Sequence, residues 1–401
     1  MARALFEHVE YELEPPAPAA DLESRHFLQI DPEKCTGCGD CEKYCPTAAI
    51  HGVIGQAHTI PHPEPCLHCG MCLVHCPAGA IYERYSWLPT VEEKLRDPET
   101  ICVAMPAPSV RYTLGEAFDG AWGQNIYDKM LTAFQRLGFR HCWDTEFAAD
   151  VTIWEEGSCL LKRLDDGGVF PQFSSCCPGW QKYVEYFYPD LIPNLVSVKS
   201  PLAINGRLAK TYGADRFDHD PGRMYTVAIM PCIAKKYEAL RPELEFGGIR
   251  DIDAVLTVRE FAALLRRRGI TPWKLPPGQA DTLMGESSGG TLFGIGGGVL
   301  ETLCRYVVQK RTGKRECDLI MRGRPGLEGI FEYELRLGKQ TLRLARVVGA
   351  RYFAPLCEEV RAGASRYHFV EFMACAGGCI NGGGQLLLPS FLKNACLPEH
   401  A

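Results

Sequence analysis

The sequence predicts an α/β fold of mostly parallel sheets flanked by helices, entered through a small cysteine-rich module. Two observations carry this prediction. A cysteine pattern at residues 33–50 recurs at 64–81, and strand-like and helix-like patterns alternate after residue 98.

Residues 1–29 form an N-terminal extension. It has no cationic stretch followed by an apolar one, so it does not read as a secretory signal. No apolar run approaches the ~18 residues that span a bilayer. The 401 residues are 46% hydrophobic and 23% charged, as in ordinary globular proteins. The net charge of -6 leaves no basic footprint for nucleic acid. The short basic run in "LLRRRG" reads as a helix end. Twenty cysteines is the abnormal number. A disulfide scaffold of that density is normally short and secreted, whereas this chain is long and keeps its cysteines in tight C-x-x-C groups. Metal ligation is the better reading, and iron–sulfur chemistry implies a reducing, anaerobic setting.

"EKCTGCGDCEKYCPTAAI" is echoed by "EPCLHCGMCLVHCPAGAI", with all four cysteines shifted by 31 residues. Each half reads C-x-x-C-x-x-C-x-x-x-C-P. The short spacings let three thiolates from one turn cap one face of a cubane, and the fourth cysteine reaches the other cluster. Cys35, Cys38, Cys41 and Cys76 are therefore expected to hold one [4Fe–4S] cluster. Cys66, Cys69, Cys72 and Cys45 are expected to hold the second. Zinc sites use pairs of C-x-x-C rather than this triple spacing. Pro46 and Pro77 turn the chain away after ligation. The repeat resembles a bacterial two-cluster ferredoxin domain over residues 30–90. Five histidines fall in it, His51, His58, His62, His68 and His75, and read as surface or loop residues.

The large domain, 98–401, follows. "ICVAM" reads as a buried strand, and "YDKMLTAFQRLG" as a helix stopped by Gly138. "VTIWEEGSCLLKRL" reads as a strand end running into a helix. "MYTVAIM" and "FVEFMA" are strands and "REFAALLRRRG" is a helix. Four unusual motifs each follow a strand: "PAPSVR", "SSCCPGW" after "VFPQF", "PCIAKKYE" and "CAGGCINGGGQ". Loops at the carboxyl ends of parallel strands build ligand sites. Cys176, Cys177, Cys232, Cys375 and Cys379 are thus expected to converge. Four of them would hold a third cubane and one would be left over. "GIGGGV" has Val299 where a dinucleotide fingerprint needs glycine, so no such site is supported. Gly382, Gly383 and Gly384 are expected to let backbone approach a bulky cofactor. Cys102, Cys142, Cys159, Cys304, Cys317, Cys357 and Cys396 have no motif role and read mostly as buried small apolar residues.

"SSCCPGW", "MPCIAKKYE" and "EFMACAGGCINGGGQ", in this order after a ferredoxin-like repeat, resemble [FeFe]-hydrogenases over nearly the whole chain. The resemblance is closest to the large subunit of the heterodimeric type, including "WDTEFAADVTIWEEGS". It implies an oxidoreductase acting reversibly on H2. It also implies two [4Fe–4S] clusters and an H-cluster between two lobes: a [4Fe–4S] cubane joined to a di-iron unit with CO, cyanide and azadithiolate. By motif, Cys177, Cys232, Cys375 and Cys379 are the ligands, with Cys379 as the bridge. Cys176 is then the remaining thiol, carrying protons from the azadithiolate amine. Lys235 contacts one cyanide, as a charge-assisted donor. Pro108 and Ser109 fit the loop facing the other. Met230 and Met373 match methionines that pack near the di-iron unit.

The resemblance also gives a proton path of cysteine, glutamate, serine, glutamate and arginine. Glu156 matches its first glutamate and Arg163 its arginine. The second glutamate position is Cys159 and the serine position is Val196, with Ser197 beside it. Neither replacement relays protons as well, a neutral thiol of pKa ~8.5 being the better of the two. The expectation is a modified path, by water or through Glu238, or slow turnover of the kind a hydrogen sensor shows. An iron–sulfur assembly protein with a hydrogenase-like domain is the other alternative, but it has no use for Cys176, Lys235 or Ser109. "GESSGGTLFG" is one residue shorter than usual. The chain ends sixteen residues after Gln385, where single-chain relatives continue. The implied partners are a small subunit, maturases, and a ferredoxin or cytochrome as electron carrier. The implied location is cytoplasmic by default, or periplasmic by co-export with a signal-bearing small subunit.

Overall fold

The computed structural model describes residues 22–386, apart from 23, 122, 281–282, 284–286, 288 and 315. Most of the N-terminal extension, part of "GESSGGTLFG" and Cys396 lie outside the described residues. Among the described residues no helix is long and apolar enough to cross a membrane.

The module is built on an antiparallel pair, β1 (Leu28–Ile30) and β2 (Ile81–Glu83). Phe27 and Leu28 are buried with it, so its core begins just before residue 30. Two short helices, Asp40–Tyr44 and Met71–Val74, carry the third cysteine of each repeat, Cys41 and Cys72. Each starts at a left-handed glycine, Gly39 at φ 81° and Gly70 at φ 75°, a backbone only glycine adopts without strain.

The large domain has two sheets. The first orders β4 (His141–Cys142), β3 (Ile101–Pro106), β6 (Met224–Met230) and β9 (Ala254–Thr257), all parallel. Its central strands are continuous apolar runs because helices cover both faces. A small hairpin, β7 (Glu245–Phe246) with β8 (Ile249–Arg250), stands apart. The second sheet orders β10 (Leu319–Gly323), β11 (Ile330–Leu337), β12 (Gln340–Val348), β13 (Phe369–Met373) and β5 (Gln172–Phe173). β12, β13 and β5 are parallel, whereas β10–β11–β12 is an antiparallel meander. The meander is the part of the sheet that the alternation pattern did not reveal, since it lacks intervening helices.

Two helix ends follow the sequence signals. Tyr127–Leu137 stops at Gly138, φ 104°. Val258–Arg267 opens on a capping box between Thr257 and Glu260 and ends in the basic run. The segment around 151–164 differs from its reading: it lies wholly inside one helix, Glu146–Asp166, with no strand end. Its β-branched start packs a helix face here, and tertiary packing overrides local propensity. One hydrophobic core joins Phe27, Ile50 and Trp87 of the module to Val103, Ile229, Leu256 and Phe261 of the first sheet.

Candidate active site and metal centres

The repeat folds so that its cysteines regroup. A cavity of about 300 Å³ is lined by Cys35, Cys38, Cys41 and Cys76. A second, of about 320 Å³, is lined by Cys45, Cys66, Cys69 and Cys72. Backbone N–H groups aim at the exchanged sulfurs: Ala49 to Cys45 Sγ and Ala80 to Cys76 Sγ, both at 3.3 Å. Such bonds stabilise the thiolate form and tune a cluster's potential. Tyr44 and His75, also 31 residues apart, stack at 3.6 Å. Cys38 is exposed, whereas Cys69 reaches inward to a cavity of the large domain. Two of the five histidines lie in loops, as read, but not at the surface. His58 and His68 are 2% and 0% exposed. His68 packs against Phe27 and Tyr237, and burial, then Lys182, holds its pKa well below the usual imidazole value. A neutral imidazole is a compact aromatic filler between module and large domain.

A third cavity, about 900 Å³, lies between the two sheets at the carboxyl ends of their parallel strands. The loop after β3 brings Pro108 and Ser109, and the loop after β5 brings Cys176 and Cys177. The loop after β6 brings Cys232 and Lys235, and the loop after β13 brings Cys375 and Cys379. Met230 and Met373, each 3% exposed, close the wall at the ends of their strands. The glycine triplet behaves differently from its reading. A Cβ on Gly382 would strike the Pro231 carbonyl, one on Gly383 the Cys69 carbonyl, and one on Gly384 the Cys232 amide. These glycines let loop backbones touch one another, and of the three Gly382 lines the cavity.

The donor set can be tested against an iron–sulfur group. All described cysteines are free thiols. Burial raises the pKa of Cys177, Cys375 and Cys379, and takes Cys232 up to about 12; neighbouring thiols add to the rise for Cys232, Cys375 and Cys379. Four thiols so placed become thiolates only against a strongly cationic group. No three His, Cys, Asp or Glu side chains among the described residues close on a single metal ion. A lone zinc needs sulfurs about 3.8 Å apart, from Zn–S bonds of ~2.3 Å. Thiols standing back around a cavity fit a multi-iron cluster instead.

Lys235 is buried beside Cys176. Its Nζ lies 2.5 Å from Glu238 Oε2, and it donates to Ser200 Oγ at 3.1 Å and to the Cys176 carbonyl at 3.3 Å. Burial opposes its charge, but the Glu238 carboxylate outweighs burial and the lysine pKa rises. Ser200 also donates to Glu238. Glu238 thus serves as the lysine's counterion in a closed buried group. Ser109 is 2% exposed and bonds Gln385 Nε2 at 3.4 Å.

Glu156 is fully buried on the helix Glu146–Asp166. Ser175 donates to its Oε1 through the backbone N–H and the hydroxyl. Burial raises its pKa to about 7, and its charge adds to the burial that raises the Cys176 thiol. Cys159 and Arg163 follow on the same helix, at spacings of three and four residues, which keeps them on one face. The Arg163 guanidinium donates to the carbonyls of Val169, Pro193, Asn194 and Leu195. Val196 is 5% exposed and its amide pairs with Phe173. Of the cysteines without a motif role, Cys102, Cys142, Cys304 and Cys357 are buried, and Cys159 and Cys317 are half-buried.

Three contributors escaped the sequence reading. Ser175, inside "SSCCPGW", orients Glu156. Glu371, on β13, is fully buried, accepts from Gly297 and Leu300 N–H groups at 3.0 and 2.8 Å, and is raised by burial to about 7. An acidic residue within the apolar run "FVEFMA" was the available signal. Lys182 is 1% exposed, lies 4.9 Å from the Tyr237 ring and places its positive charge near Cys66. Nothing local in the sequence distinguishes it from a surface lysine.

Comparison with known proteins adds the following. Residues 100–383 match the family model described as iron only hydrogenase large subunit, C-terminal domain, and residues 28–51 match a 4Fe-4S binding domain. The chain is 55% identical to the periplasmic [Fe] hydrogenase large subunit of Nitratidesulfovibrio vulgaris, over 98% of this chain and 94% of that protein. It is 41% identical to iron hydrogenase 1 of Clostridium pasteurianum, over 75% of this chain and 52% of that one. The cytosolic Fe-S cluster assembly factor narfl of Xenopus tropicalis matches at 31% over 66% of this chain and 58% of its own length. Among solved structures, a variant of the apo [FeFe]-hydrogenase HydA1 from Chlamydomonas reinhardtii superposes with a TM-score of 0.68. It is 33% identical and covers 75% of this chain and 84% of its own.

Proposed function

The chain belongs to the iron-only hydrogenase large-subunit family, an oxidoreductase acting on H2 with [4Fe–4S] clusters and an H-cluster, and from that premise we propose how its residues divide the work. Cys177, Cys232, Cys375 and Cys379 would hold the H-cluster. When bound, the H-cluster supplies the iron site at which H2 is oxidised or evolved. The observation that carries this reading is a cavity lined by five cysteines from three loops of the large domain and by Cys69 of the module, with Lys235 and Ser109 on its wall.

Cys176 is the thiol left over. It holds a proton at Sγ and exchanges it with Glu156, whose Oε2 is buried and has no hydrogen-bond partner among the described residues. With a pKa near 7, Glu156 takes and gives protons at neutral pH. Cys159 and Arg163 continue the line toward the surface. Lys235, kept charged by Glu238, presents its positive charge to an anionic ligand in the cavity, toward which it can turn the N–H of its longest bond, to the Cys176 carbonyl. Met230, Met373, Pro108 and Phe293 give the cavity an apolar lining that excludes water. Residues 30–90 form the electron-transfer module: Cys69 borders the catalytic cavity and Cys38 lies at the surface.

As a hydrogenase large subunit the chain pairs with a small subunit. Its electron partner is a ferredoxin or cytochrome. Its location is periplasmic, by co-export with a small subunit that bears the signal, a reading supported by the named location of the Nitratidesulfovibrio relative. An assembly-factor role is disfavoured by Cys176, Lys235 and Ser109, which such a role leaves idle. An H2 uptake assay of matured protein, with and without co-expressed small subunit, tests the reading. Turnover expected of an enzyme supports it, and none in either form overturns it.

A further inference from the structure

Four charged side chains are buried where the N-terminal module meets the large domain. Glu83, at the end of β2, meets Lys236 Nζ at 2.6 Å and Arg259 Nη2 at 2.6 Å. Lys236 also donates to the Tyr85 carbonyl and to Glu260 Oε1, both at 2.8 Å. Ser86 donates to Glu260, and Thr257 gives Glu260 its backbone N–H at 2.7 Å. The side chains of Glu83, Lys236, Arg259 and Glu260 are 7%, 1%, 8% and 4% exposed. Two acids and two bases balance, and every one of them has partners from the opposite side.

The group reaches the catalytic cavity by two routes. Lys236 is the neighbour of Lys235, which lines the cavity, so one short helix, Ala234–Ala239, carries both. Arg259 donates to the Gln385 carbonyl, and Gln385 bonds Ser109 on the cavity wall. Close by, a Cβ on Gly383 would strike the Cys69 carbonyl and Gly70, the turn that holds the module's inner cysteines. Module and cavity therefore touch through bare backbone, and the register of that contact is set by groups beside it. Hydrophobic burial in the shared core attaches the module without fixing its register, because it is non-directional. Paired buried charges do fix register, since any slip leaves a charge unpaired in a dry site.

We propose that Lys236 is a positioning residue for electron transfer: with Glu83, Arg259 and Glu260 it clamps the module so that its inner cysteine cavity stays in register with the catalytic one. The proposal deepens the functional reading above and rests on it.

The test uses matured holoenzyme carrying Lys236→Met or Lys236→Arg. Two rates are compared. Exchange of H2 with D2O needs the catalytic cavity but no net electron export. Oxidation of H2 to two protons with reduction of two equivalents of a one-electron dye needs electrons to leave. In K236M the ratio of dye reduction to isotope exchange is expected to fall several-fold, with partial recovery in K236R. Amide hydrogen exchange of β2 is expected to quicken in K236M independently of activity. Ser86→Ala, which deletes one hydroxyl and leaves no buried charge unpaired, carries the test if K236M does not fold, and is expected to lower the same ratio. An unchanged ratio in the folded variant, or unchanged β2 protection, overturns the clamp. Absence of isotope exchange in the unmutated enzyme overturns the functional reading instead, so the two failures are distinguishable.

Discussion

The Glu156 carboxyl takes two hydrogen bonds on one oxygen, both from Ser175: the backbone N–H at 3.0 Å and the hydroxyl at 3.2 Å. The other oxygen is left free of partners among the described residues. A carboxyl oriented on one side and open on the other is suited to pass a proton. Glu156→Gln keeps the shape and removes the titration. Turnover is expected to fall roughly 10²–10⁴-fold, the usual worth of a positioned proton-transfer group, with iron content unchanged. Turnover within twofold of the parent would remove Glu156 from the path.

The same carboxyl predicts a stability slope. Burial raises its pKa from 4.5 to about 7, and does the same to Glu371. A group that binds its proton more tightly when folded stabilises the fold most below pH 4.5. That contribution fades as pH rises through about 7. Denaturant unfolding of the parent is expected to show stability falling between those limits, and E156Q to flatten part of the slope.

Much of this was legible beforehand. The regrouping of Cys45 and Cys76 followed from a spacing that one turn cannot satisfy alone. The four cavity loops followed from motifs placed after strands, because parallel strands end at a common edge. The meander β10–β12 was missed because hairpins carry no crossover helix. The clamp around Lys236 was missed because long-range charge pairing has no local signature: Glu83 and Lys236 are 153 residues apart. That the loop residue His68 is buried was not legible, because burial of a histidine depends on what the other domain lays over it, here Tyr237.

Under the proposed ligand set, Cys176→Ala deletes the leftover thiol and no cluster ligand. Turnover is expected to be lost while iron content stays at the parent level. Cys177→Ala, its neighbour, is expected to lose iron. Equal iron loss in both variants would make Cys176 a ligand rather than a proton carrier.

The helix Glu146–Asp166 places Cys159 between Glu156 and Arg163. Cys159→Glu together with Val196→Ser supplies a carboxyl and a hydroxyl where the proposed path has a half-buried thiol and a buried valine. H2 turnover is expected to rise. An unchanged rate would show that proton transfer along this helix does not limit the enzyme.

The positive charge of Lys182 beside Cys66 favours the reduced, more negative state of a cluster held there. Lys182→Met keeps the volume and removes the charge. The midpoint potential of the inner cluster is expected to shift negative in a redox titration followed by electron paramagnetic resonance, with the outer cluster unmoved. A shift of both clusters together would point to general rearrangement.

The group held among Cys177, Cys232, Cys375 and Cys379 decides whether this protein can act on H2. Infrared spectroscopy of protein co-expressed with hydrogenase maturases tests this most directly. Stretching bands of iron-bound carbon monoxide and cyanide are expected, and Cys379→Ser is expected to abolish them. A fully iron-loaded parent protein with no such bands would contradict the assignment of this cavity.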